Sequence, residues 1–174
     1  MSFLARIFGG GQERDAYRPL YEAVVNAGRD PAWYVQGRVP DTVDGRFDMI
    51  AALLALTLIR LEADETRTRT PSVLLAEIFI EDMEGSIRQL GSGDLMVGKQ
   101  VGKMMGALGG RLAAFRSEIE AGSDFSRAVT RNVFRDAPPS KEAVAFVSSR
   151  LRSFHARLEA APVEDILAGR LPAL

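Results

Sequence analysis

Apolar residues recur along the chain at helical spacing, and no stretch of any length alternates as a strand would, so the expected fold is all-α. The organising stretch is 97–116, where Val97, Val101, Met104, Met105, Leu108, Leu112 and Phe115 fall three or four apart and make one apolar stripe. Gly98, Gly102, Gly106 and Gly110 recur every four residues in the same stretch, with Gly109 beside the last. An interior helical glycine costs about 0.8–1 kcal/mol relative to alanine, so five cost on the order of 4–5 kcal/mol. That is a large fraction of a domain's stability. Residues four apart form one ridge of a helix surface, and a ridge of glycines is a flat track that another helix can approach closely. Two occupants fit the track equally well: another helix of the same chain, or a partner. The stretch is no membrane span, because Lys99, Lys103, Arg111 and Arg116 would sit at membrane depth.

The remaining pattern predicts six to eight helices in one bundle around a central antiparallel hairpin. Tyr17, Leu20, Tyr21, Val24 and Val25 line a first helix over 12–29, with Pro19 bending it or shifting its start and Gly28 placed to end it. Asp30-Pro31 restarts a short turn carrying Trp33, Tyr34 and Val35, expected as core or seam. Asp41 is placed to cap a third helix reaching about residue 62, and its run 49–59 is apolar nearly all round, as a buried central helix is. A polar connector over 64–69 is expected next, then Thr70-Pro71 as cap and first position of a fourth helix ending near residue 90. Its buried stripe runs from Val73 to Leu90, beside an acidic row of Glu77, Glu81 and Glu84 with Arg88. Gly91-Ser92-Gly93-Asp94 reads as a tight turn, Gly91 ending one helix and Asp94 capping the next, so the fourth and glycine-ridged helices should pair as a hairpin. The second of these has no acid between Leu95 and Ser117, so charge pairing inside the hairpin is expected. Gly122 closes it. A shorter helix follows over 124–134, with Arg127, Arg131 and Arg135 outward, then a further helix over 140–160 after Pro138-Pro139 and one last turn over 162–167.

Composition narrows the chemistry. The chain of 174 residues divides into a short attachment, 1–11, and one domain, 12–174, large enough for a proper core. A net charge of −1 draws it to no nucleic acid globally, so any basic surface is local. With no cysteine and a single histidine, His155, thiol catalysis, zinc–thiolate sites and histidine metal centres are not expected, and no metal or cofactor is called for. The segment 1–8 is apolar but too short for a signal peptide's apolar run, and Gly9 to Gly11 detach it. It reads either as a frayed terminus or as an interfacial anchor, with Phe3, Leu4, Ile7 and Phe8 at a bilayer surface and Arg6 toward lipid phosphates.

Taken together, Phe79, Asp82-Met83-Glu84, Ile87-Arg88-Gln89, Gly91, Gly93-Asp94, Val97-Gly98-Lys99, Val101, Lys103-Met104 and Gly110-Arg111 resemble the signature of the ubiquinol–cytochrome c chaperone family. The resemblance covers about forty residues, and the order of its acidic, glycine and lysine blocks is what makes it specific. Ser92, Glu84 and Leu108-Gly109 depart from the usual pattern, the last making the track longer and barer. The resemblance implies a compact all-α domain that assists biogenesis of ubiquinol–cytochrome c reductase. It further implies association with newly made cytochrome b or another assembly component and, as in mitochondrial members, with the ribosome. The size and the lack of a transit peptide suit a bacterial, cytoplasmic member working at the inner face of the cytoplasmic membrane.

The expected function is therefore that of a non-enzymatic assembly chaperone. Its expected partner-binding residues are Asp82, Arg88, Asp94, Gly98, Lys99, Gly102, Lys103, Met104, Met105, Gly106, Gly110 and Arg111. Methionine repacks readily around differing partners, and the cations would meet acidic or phosphate groups at the track's edge. The alternative is a ribosome- or nucleic-acid-surface module using Lys99, Lys103, Arg111 and Arg116 with Arg127, Arg131 and Arg135, though without sequence-specific reading. An enzyme would have to rest on Glu81, Asp82, Glu84, Arg88 and Asp94, which lack a nucleophile and ligand histidines.

Overall fold

The computed structural model describes residues 13–89 and 94–174. Among the described residues there are eight helices: α1 (Arg18–Gly28), α2 (Pro31–Val35), α3 (Val43–Glu62), α4 (Glu65–Gln89), α5 (Asp94–Glu120), α6 (Ser126–Asn132), α7 (Lys141–Ala160) and α8 (Val163–Leu167). No strand occurs among them. The fold is all-α, as the periodicity requires.

The core is assembled around α3, which touches α1, α4, α5 and α7. Every residue from Asp48 to Leu58 is buried, the structural counterpart of a run that is apolar on all sides. Its first turn is capped by Thr42, whose hydroxyl accepts from the Gly45 amide at 3.1 Å. The expected cap, Asp41, instead pairs with Arg46 at 2.7 Å. Threonine serves the cap as well as aspartate does, and the carboxylate is then free for the guanidinium. At the other end, Arg60 donates to the Leu158 and Ala161 carbonyls at 2.9 and 3.2 Å, satisfying acceptors that α7 leaves open at its C-terminus.

The polar connector expected over 64–69 is helix. α4 begins at Glu65 and runs through Pro71, so Thr70 is no cap. The start is held from outside the usual pattern. Thr68 is fully buried and its hydroxyl donates to the Leu61 carbonyl and, at 2.7 Å, to that of Asp64. Arg67 pairs with Asp64 and with Glu164 in the first turn of α8. These contacts carry the helix past a proline that cannot donate to the carbonyl four residues back.

Trp33 is fully buried in α2, donating to the Ala27 carbonyl at 2.8 Å, with the Arg150 guanidinium of α7 4.8 Å from its ring centre. Arg150 also pairs with Asp30 at 2.6 Å, and Asp30 caps α2 through the Ala32 amide. Val35, grouped with Trp33 and Tyr34 in the sequence, points out and is 69% exposed. Glycine is required at residue 169, where φ is +78° and a Cβ would lie 2.8 Å from the Pro19 backbone at the start of α1.

Candidate functional site

Helix α5 is anchored on one side and bare on the other. Leu108 and Phe115 are buried in the core, and Phe115 meets Phe125 edge-on at 5.4 Å. On the outer side Gly98, Gly102, Gly106, Gly109 and Gly110 are all exposed. A Cβ built at any of these five would have no neighbour within 4 Å. The described helices of the same chain therefore do not lie on the glycine ridge. Met105, 39% exposed, stands among the glycines as the large apolar side chain of this face, while Met104 is half-buried beside it.

The four cations of α5 separate into two kinds. Arg111 lies in the interior rather than at the edge of the ridge. Its guanidinium pairs with Asp48 of α3, donates to the Asn132 and Ala107 carbonyls at 2.7 and 3.0 Å, and stacks 5.5 Å from the Phe47 ring centre. It is thus unavailable to a partner. Arg116 pairs with Glu62 at the other end of α3. Lys99 and Lys103 are exposed and have no charged partner among the described residues.

Asp48 is the buried partner in this network that the sequence reading did not bring into the site. It is 1% exposed and also accepts from Arg135 at 2.8 Å, and Arg135 reaches on to Asp44 at 3.0 Å. Burial pushes the Asp48 carboxyl above its ordinary value, against the pull of the Arg135 and Arg111 guanidiniums. The signal was present: Asp48 stands at the head of a run buried all round, where a charge survives only with a partner. The network ties α3, α5 and the segment after α6 into one body. It also walls a cleft of about 410 Å³ between the start of α3 and the middle of α5. Phe47, Met104 and Ala107 form its apolar walls, and Asp44, Gln100, Lys103 and Arg135 its polar rim.

Of the acidic residues expected to face α5, Glu81 and Asp82 turn to the α1 side instead. Glu81 of α4 pairs with Arg14 at 3.4 Å and Arg18 at 3.9 Å. Asp82, expected at the partner surface, accepts from the buried Tyr21 hydroxyl of α1 at 2.7 Å and so joins α4 to α1. The ion pairs of α5 run to α3 and, through Glu118 and Arg127 at 3.7 Å, to α6. Arg88 and Asp94 hold positions at the ends of α4 and α5, and their side chains lie outside the described residues, as do Gly91 to Gly93 and the segment with Phe3, Leu4, Arg6, Ile7 and Phe8. His155 is half-buried against Phe125, ring centres 6.1 Å apart, and burial lowers its pKa.

No group of histidine and acidic residues that could hold a metal occurs among the described residues, and none of their helices is long and apolar enough to cross a membrane. What the fold and this face define is an all-helical domain with an open, side-chain-poor helix surface. Residues 35–173 match the family model described as ubiquinol-cytochrome C chaperone. The chain belongs to that family. Its fold matches that in the crystal structure of the Cbp3 homolog from Brucella abortus, at 25% identity and a TM-score of 0.81, covering 99% of this chain and 97% of that one. No curated protein sequence matches the chain.

Proposed function

We propose that the chain is a non-enzymatic assembly chaperone for ubiquinol–cytochrome c reductase. In this reading it receives an apolar helix of cytochrome b, or a helical partner subunit, across the outer face of α5. The observation that carries the reading is the glycine ridge: five exposed positions with open space where a side chain would be. Five interior glycines cost on the order of 4–5 kcal/mol of helix stability. Nothing inside the described fold recovers that cost, and a second helix laid against bare backbone would. Met105 supplies an adaptable apolar contact beside the ridge. Work at the cytoplasmic side of the membrane follows from a membrane-protein client and needs no span in the chaperone.

Gly102→Leu and Gly106→Leu test this, with Gly102→Ala and Gly106→Ala as controls. The leucine variants should lose co-purifying cytochrome b while melting no more than a few degrees below the parent protein. The alanine variants should retain most of it. Full capture by folded leucine variants would refute docking on the ridge.

The nucleic-acid or ribosome-surface reading has lost most of its cations. Arg111, Arg116 and Arg135 are paired with Asp48, Glu62 and Asp44, and Arg127 with Glu118. A phosphate backbone is gripped by a run of unpaired cations, and four of the seven in that reading already have a carboxylate beside them.

A further inference from the structure

We infer that the cleft between the start of α3 and the middle of α5 is a carboxylate-recognition site for an acidic side chain of the protein partner. The inference rests on the reading that the partner lies on α5 and adds what it must carry. Three cations surround this cleft and its back wall, Lys103, Arg135 and the buried Arg111, against two carboxylates, Asp44 and Asp48. One positive charge is left over, and it falls on Lys103, which is exposed and has no charged partner among the described residues. Arg135, about half exposed at 53%, forms the rim and is already shared between Asp44 and Asp48, so an arriving carboxylate can take a donor from it without stripping Asp48 bare. Arg111 stays behind the wall: its side chain stacks on Phe47 and donates to Ala107, both of which line the cleft, and so holds that wall in place. Phe47, Met104 and Ala107 supply the apolar part of the lining, against which the residues flanking the carboxylate can pack.

The same features select against other anions. Asp44 on the rim repels a polyanion, and a single surplus charge matches one carboxylate rather than a phosphate chain. The occupant is therefore a glutamate or aspartate flanked by apolar residues on a partner segment that continues along α5.

The test uses the full chain with Lys103→Ala, Lys103→Arg and Lys103→Glu, read by co-purified cytochrome b at low and at raised salt. The parent protein should lose capture steeply with salt. Lys103→Ala should capture at least about five-fold less at low salt with a flatter salt response, Lys103→Glu less again, and Lys103→Arg should behave like the parent. Capture by Lys103→Ala equal to the parent at both salts would overturn the carboxylate site and leave ridge docking standing. A second measurement is independent of whole-protein capture: an array of short peptides tiling the soluble loops of cytochrome b, each acidic peptide paired with its amide counterpart. Glu- or Asp-bearing peptides should bind, and both amide replacement and Lys103→Ala should remove the signal. Binding indifferent to the amide change, or no binding at all, would overturn the inference, and phosphate or RNA displacing bound peptide at millimolar levels would reassign the cleft to phosphate.

Discussion

Arg111 of α5 and Asp48 of α3 meet in the interior with 6% and 2% of their side-chain surface exposed, and this pair clamps the glycine-ridged helix to the central one. Removing one member leaves the other charge buried. Arg111→Ala or Asp48→Ala should cost about 3–5 kcal/mol in chemical denaturation. Asp48→Leu combined with Arg111→Met should cost less than either single change, because both desolvation penalties go together. A double variant as unstable as the sum of the singles would show no coupling between the two charges and would refute mutual compensation.

The ridge makes the opposite prediction. With no atom within 4 Å of a Cβ at Gly102 or Gly106, alanine there gains helix propensity and meets no clash. Gly102→Ala and Gly106→Ala should each stabilise the protein by about 0.8–1 kcal/mol, seen as a rise in melting temperature. A fall would mean that the face is covered in solution.

Tyr21 and Asp82 fasten α1 to α4 by one hydrogen bond to a carboxylate, 2.7 Å long. Tyr21→Phe should lose about 1.5–3 kcal/mol, the usual worth of a bond to a charged group. Burial first, then the bond to Asp82, hold this hydroxyl far above its ordinary value of 10.0. The folded state thus keeps a proton that the unfolded state releases. Stability from Tyr21 is complete below that value and drains away as pH rises past it. Denaturation midpoints of the parent should fall more steeply above pH 10 than those of Tyr21→Phe.

His155 works in the acid direction. Burial against Phe125 lowers its pKa from 6.5, so the unfolded chain takes up a proton before the folded one does. Stability should decline as pH falls below 6.5, and His155→Phe should flatten that slope. An unchanged slope in the variant would assign the decline to carboxylates instead.

Periodicity alone located the helices and named α3 as core, since a run without a polar face has nowhere else to go. It misjudged residues 64–69 because local polarity and a proline outweighed contacts from Leu61 and Glu164, which lie one turn back and far along the chain. It also read the arginines of α5 by their place on one helix. Arg111 and Arg116 found their partners on α3, 63 and 54 residues away, and sequence spacing within a helix carries no trace of such pairs. The glycines were legible as bare backbone but not as open or covered, because that depends on where a different helix runs. Asp48 could have been read: a lone carboxylate opening a fully apolar run asks for a buried cation.

The uncovered ridge has one more effect. From Gly98 to Gly110 the helix runs for about three turns with little to screen its amides on the outer side. Water competes there for the carbonyls, so these amide hydrogens should trade with solvent sooner than those beside Phe115. A guest settling on the ridge would slow that trade, and deuterium uptake over these turns would then register occupancy without any label on the guest.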